Sequence, residues 1–149
     1  MTDDLTAAFD RYNLALTLTD LSIMSAGRDG RDLTFNDIMY LNLIYGLPDC
    51  TASVIADTVG VARSSVTVKI NELCRKGYVV RTKNKQDGRV YNLSLAPTAA
   101  KLYLYEKKQM AAAVAQLQSG CSAADVTRFC AMLDTITEGL RTDMVRDRS

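Results

Sequence analysis

The chain has 149 residues, 48% of them apolar and 23% charged, a composition that suits one globular domain with a real core and excludes a disordered chain. It holds no histidine, and its four cysteines (Cys50, Cys74, Cys121 and Cys130) form no C-x-x-C pair, so the usual general base and clustered metal ligands are missing. Phosphate-cradling patterns such as G-x-G-x-x-G or a P-loop are also missing, and we therefore expect no enzyme, no cofactor and no metal site.

The net charge of +1 hides an uneven distribution. Between Gly60 and Val90 lie eight basic residues: Arg63, Lys69, Arg75, Lys76, Arg81, Lys83, Lys85 and Arg89. Only Glu72 and Asp87 oppose them, so this stretch carries +6 and the remainder −5. A basic module on a mildly acidic scaffold is the asymmetry of a nucleic-acid binder, although a charge run also occurs as a plain solvated face. The start of the chain, with Asp3 and Asp4, does not read as a secretory leader, and the longest apolar run, Met110 to Ala115, is too short to span a bilayer. The expected location is the cytoplasm, with no membrane partner.

In chain order, the segment from about Asp3 to Ala26 reads as a helix, with Leu5, Phe9, Tyr12, Leu16 and Ile23 on one stripe and Gly27 and Gly30 as breakers. Thr34 caps a second helix, with Asp37 in its first turn, and Gly46-Leu47-Pro48-Asp49 ends it. Thr51 caps a short third helix. After Gly60, a fourth runs from about Ala62 to Lys76 with Val66, Ile70 and Leu73 on its inner face and Gly77 as its left-handed stop. The third and fourth helices form a helix-turn-helix. The period then changes to two: strands at 78–83 and 90–95 flank a polar Asp87-Gly88 turn, giving a basic-tipped hairpin. Pro97 opens a fifth helix that runs to about Ser119. Ser122 caps the last helix, whose stripe runs through Val126, Phe129, Cys130, Leu133, Ile136, Leu140 and Met144.

The expected fold class is thus mainly α (α+β): a winged helix-turn-helix with a two-stranded β-hairpin wing, flanked by long N- and C-terminal helices. The whole, 1–149, reads as one domain, with 33–96 as the DNA-binding lobe and 1–30 and 97–149 as dimerisation helices. The apolar stripes of the outer helices exceed what one small lobe can cover, which points to a second subunit.

Placing Val66, Ile70 and Leu73 inward turns Ser64, Val68, Asn71 and Arg75 outward on the fourth helix, with Thr67 and Glu72 beside that face. An α-helix fits the major groove. Short hydroxyls at its start (Ser64, Ser65, Thr67) suit phosphates, Val68 a thymine methyl, and Asn71 an adenine edge. Lys69 sits near the core boundary, its stem packed and its ammonium directed to a phosphate. At the hairpin tip Arg89 suits a narrow minor groove, with Asp87 two residues away to orient the guanidinium. Lys83 and Lys85 read as phosphate contacts or as solubilising charges. Tyr12, Met39, Tyr40 and Tyr45 are ligand-pocket candidates, with core packing as their alternative role.

These residues resemble a known family. Leu33-Thr34, Thr51 to Ala56, Gly60-Val61-Ala62-Arg63-Ser64-Ser65-Val66-Thr67, Leu73-Cys74-Arg75-Lys76-Gly77-Tyr78-Val79 and Asp87-Gly88-Arg89 with Leu93-Ser94-Leu95 look like the MarR family of winged-helix transcription regulators. The resemblance covers about 33–102 by motif. It implies a homodimer on double-stranded DNA at a pseudo-palindromic operator, usually a repressor and often released by a small, commonly phenolic effector. By position it assigns Ser64, Ser65, Thr67 and Lys69 to the recognition helix and Asp87 and Arg89 to the wing. This sequence departs from the pattern at Val68, where a basic residue is common, at Ala96, where a Thr often opens the next helix, and at Glu72, an unusual acid near the recognition face. Two alternatives stand beside this reading. One is a winged-helix protein-interaction module without DNA binding. The other is a thiol-based redox-sensing regulator working through Cys74, beside Arg75 and Lys76.

Overall fold

A computed structural model describes residues 4–26 and 33–146, the side chains of Ala26 and of 141–146 excepted. The expected breakers Gly27 and Gly30, the terminal Asp3 and the Met144 side chain lie outside the described residues. Six helices and one hairpin follow in the order α1 (Leu5–Ala26), α2 (Phe35–Gly46), α3 (Ala52–Val59), α4 (Arg63–Arg75), β1 (Val79–Lys83), β2 (Tyr91–Leu95), α5 (Pro97–Ser119) and α6 (Ala123–Arg146). This is the mainly α, winged helix-turn-helix architecture that the sequence patterns predict.

Local chemistry sets the element boundaries. Thr34 caps α2 through a reciprocal box: its hydroxyl accepts from the Asp37 N–H at 3.2 Å while its own N–H donates to the Asp37 carboxylate at 2.8 Å. The Thr51 hydroxyl accepts from the Val54 N–H and starts α3. Gly60 (φ +73°) closes α3, where its N–H and that of Val61 both donate to the Ala56 carbonyl. Gly77 (φ +79°) ends α4 in a Schellman motif, the Tyr78 N–H donating to Leu73 and the Gly77 N–H to Cys74. Ser122 and Asp125 build a second reciprocal cap ahead of α6.

The strands pair antiparallel from Val79 opposite Leu95 to Lys83 opposite Tyr91. The Leu93 N–H ties the hairpin to the helical body by donating to the Cys50 carbonyl, and the ladder continues beyond the strands where the Ala96 N–H donates to the Tyr78 carbonyl, each at 2.8 Å. These bonds, with buried Tyr78, Val79 and Leu93, give a two-stranded ribbon the support it needs.

The chain divides into two compact units, 1–106 and 107–149, with the boundary inside α5. The first has a continuous core in which Ile38 and Leu41 of α2, Ile55 of α3, and Val66, Ile70 and Leu73 of α4 are almost wholly buried. The second has little core of its own. Val126, Leu133 and Ile136 of α6 are half-buried on one face, whereas Met110, Val114, Leu117, Phe129, Met132 and Leu140 are exposed. Among the described residues no helix is long and apolar enough to cross a membrane.

Candidate nucleic-acid interface

α4 follows α3 across the Gly60–Ala62 turn, and its start carries no side-chain cap. The helix thus begins without a side-chain acceptor for its first N–H groups, beside exposed Arg63, Ser64 and Ser65. Burial of Val66, Ile70 and Leu73 turns the opposite face to solvent. Val68 is 68% exposed, a position unfavourable for an isolated branched apolar residue and suited to a surface that docks on something. Asn71 and Arg75 are exposed on the same face.

Thr67 differs from the expected hydroxyl donor. Its Oγ1 donates to the Arg63 carbonyl at 2.9 Å, so its single proton is committed to the preceding turn; a phosphate, which needs a donor, is left with the Ser64 and Ser65 hydroxyls.

Lys69 differs more. Its ammonium is not directed outward but lies 2.5 Å from Oδ1 of Asp37 and 3.0 Å from Glu72. Lys76 completes the arrangement, 2.9 Å from Asp37 Oδ2 and 2.9 Å from Glu72. Asp37 has no solvent-exposed side-chain surface. Its Oδ1 lacks a hydrogen bond of good angle and is held by charge, whereas Oδ2 accepts from both the Thr34 N–H and Lys76. Burial by itself would raise the Asp37 pKa, but the hydrogen bonds from Lys69, the Thr34 backbone and Lys76 outweigh it and bring it down to about 2. Burial likewise opposes charge on Lys69 and Lys76, and the two carboxylates outweigh it, raising both. Where a phosphate contact was expected of it, Lys69 thus takes part in a charge cluster that, among the described residues, comprises Asp37, Lys69, Glu72 and Lys76 and joins α2 to α4. Its sequence signals were present: the Thr34-x-x-Asp37 cap, and Glu72 three residues after Lys69 and four before Lys76. What they lacked was the proximity of α2 to α4.

The wing tip is organised by backbone acceptors. Asn84 Oδ1 accepts from the N–H groups of Gln86 and Asp87, and the Asp87 carboxylate accepts from the Arg89 N–H at 2.9 Å. Asp87 therefore shapes the turn through the Arg89 backbone and not through the expected bidentate pair with its guanidinium. Lys83, Lys85 and Arg89 are all exposed, and the stem of Lys83 lies across Gly88, where an added Cβ would come within 3.1 Å of it.

The four pocket candidates are dispersed. Tyr12 and Met39 are about half exposed, and Tyr40 packs against the core. Tyr45 stacks on Tyr103, with ring centroids 4.9 Å apart. Sequence reasoning missed the polar chain beneath it: the Tyr103 hydroxyl donates to Asn42 Oδ1 at 2.5 Å, and the Asn42 amide donates to Asp20 at 3.1 Å. Burial, then the charges of Glu106 and Asp20, pushes the Tyr103 phenol upward. Of the thiols, Cys50 is buried, with its pKa raised by that burial; Cys74 packs against the core, and Cys121 and Cys130 are exposed.

A helix-turn-helix followed by an exposed basic wing defines a winged-helix protein. A family model described as the MarR family matches residues 31–90. Solved structures extend the likeness of fold. FabT of Streptococcus pneumoniae in complex with DNA is 23% identical with a TM-score of 0.61, covering 92% of this chain and 98% of its own. A MepR mutant from a multidrug-resistant S. aureus clinical isolate is 19% identical with a TM-score of 0.67, covering 94% and 99%. A second S. aureus MepR mutant, bound to an oligodeoxyribonucleotide, is 19% identical with a TM-score of 0.52, covering 92% and 98%. No curated protein matches the sequence.

Proposed function

We propose that the protein is a sequence-specific regulator of transcription that binds double-stranded DNA as a homodimer, in the manner of a repressor. The observation that carries this reading is the outward face of α4 next to the basic wing. Ser64, Val68, Asn71 and Arg75 share one helical face, and Lys83, Lys85 and Arg89 are exposed on the hairpin that follows. The DNA-bound states of FabT and MepR support the choice of partner.

In this reading residues 33–96 form the DNA-binding lobe. Arg63, Ser64 and Ser65 meet phosphates at the start of α4, Val68 and Asn71 meet base edges, and Arg89 enters the adjacent minor groove. Asp87 and Asn84 contribute by shaping the tip. The segments 1–30 and 97–149 supply the dimer interface, a role supported by the exposed apolar residues of α5 and α6. Release by a small, phenolic type of effector follows from the family resemblance, with the surroundings of Tyr45 as its place.

Selection of bound fragments from a random duplex library, followed by footprinting, tests the proposal. The expected result is a pseudo-palindrome with half-sites about 10 bp apart, centre to centre. A single asymmetric half-site would remove the dimeric mode, and absence of any enrichment would favour the protein-interaction alternative.

A further inference from the structure

Ser65, Lys69, Glu72 and Lys76 fall on one flank of α4, next to the outward face of Ser64, Val68, Asn71 and Arg75. Lysines on such a flank have stems long enough to reach a phosphate beside a groove-bound helix. Here both ammonium groups are instead held between two carboxylates, at 2.5 to 3.0 Å. One carboxylate, Asp37, comes from a different helix and is completely buried; the other, Glu72, lies at the rim with 32% of its side chain exposed. Among the described residues two cations face two anions here, so they balance in charge, although the flank lies within the most basic stretch of the chain. A surface that only needed to staple α2 to α4 would require one pair.

Resting on the DNA-binding reading above, we propose that Asp37 and Glu72 are specificity-determining residues that withhold Lys69 and Lys76 from phosphates. Phosphate neutralisation supplies essentially all non-specific affinity, because it releases counterions whatever the sequence. Base recognition by Val68 and Asn71 gains nothing on random DNA. Keeping two flank cations internally paired lowers binding to random sequence while leaving the base-reading face intact. The ratio between operator and bulk DNA rises as a result.

The test compares the full-length wild type with Glu72→Gln and Asp37→Asn. Each is titrated by fluorescence anisotropy, over a salt series, against a random-sequence duplex and against the best duplex from library selection. Each change is read against that of Asp10→Asn, an exposed substitution on α1 with the same charge increment, which measures the effect of net charge alone. Glu72→Gln is expected to steepen the salt slope by up to about 0.9 per subunit on random DNA. Every further phosphate neutralised adds about 3.5-fold relative affinity for a fourfold drop in salt. The selected duplex should tighten no more than random DNA, and its advantage should shrink wherever the freed lysine reaches a phosphate of the random duplex. Asp37→Asn should act in the same direction. If it fails to fold, the rim variant carries the test alone. An unchanged or shallower slope for Glu72→Gln, with both duplexes bound more weakly, would make the cluster purely structural and overturn the proposal. Wild type that binds neither duplex in a salt-dependent way would overturn the DNA-binding reading itself, and this inference with it.

Discussion

The Lys69 ammonium lies 2.5 Å from the buried Asp37 carboxylate and thereby joins the recognition-type helix α4 to the first turn of α2. The same carboxylate closes the Thr34 cap and takes the Lys76 ammonium, so one side chain holds three partners.

Asp37→Ala should therefore be costly. It takes the buried carboxylate from the mostly buried Lys69 and Lys76, both of which keep their pairing with Glu72, and removes the reciprocal half of the α2 cap. Breaking a buried ion pair from one side costs about 3–5 kcal/mol. Equilibrium urea unfolding should show a loss within or just below that range, because both lysines keep a rim partner. A loss below about 1 kcal/mol would show that the cluster is not structural.

The same residue predicts an acid limb in stability. Its folded pKa, about 2, lies below the ordinary 3.8, so the carboxylate binds its proton more weakly in the folded state. The stabilisation is fully present above about pH 5, and it is lost as pH falls through 3.8 towards 2. A shift of that size corresponds to about 2–3 kcal/mol. Asp37→Asn should lack this part of the acid limb, and thermal unfolding from pH 6 to pH 2 reads the difference.

Gly77→Ala should destabilise the chain by about 1–2 kcal/mol, purely through its backbone. The position has φ +79°, but nothing lies within 4 Å of an added Cβ. Asn tolerates this region better than Ala, so Gly77→Asn should cost less. Equal losses for the two variants, measured by denaturant midpoint, would point to crowding and contradict the open space around this position.

For DNA reading, Asn71→Ala should weaken the best duplex by about 1–3 kcal/mol per half-site and relax preference at one base pair. Arg89→Ala should lose affinity most on A·T-rich flanks, where the minor groove is narrow. Titration of a small duplex library checks both. Uniform losses for Asn71→Ala across all sequences would move it from base reading to backbone contact.

Leu140→Asp separates association from folding. Leu140 is 66% exposed in the single chain, so the change should alter a monomer by no more than about 0.5 kcal/mol. In a dimer that buries this face, an unpaired carboxylate would cost several kcal/mol and drive dissociation. Sedimentation of wild type and variant at micromolar concentration distinguishes the cases. Identical mass for both would place Leu140 outside the interface.

What sequence alone determined here is what acts within about one turn of chain. Thr34, Thr51 and Ser122 announce their helices because a cap hydroxyl meets an N–H three residues on. Gly77 ends α4 because its φ is open to glycine, and the 3.6-to-2 change of period marks the passage from α4 to the wing. The inward set Val66, Ile70 and Leu73 was equally legible, since burial follows from helical spacing. Tertiary structure decided where long and polar side chains direct their charge. Lys69 looked like a phosphate ligand from its place on α4, but packing of α2 brings a buried carboxylate to it. The Tyr103–Asn42–Asp20 chain likewise joins α5, α2 and α1. Neighbours this far apart in sequence are chosen by the packing of apolar faces. A flexible ammonium or amide then takes whichever desolvated partner that packing supplies, because leaving the partner unpaired in the interior costs more than leaving a surface contact unmade.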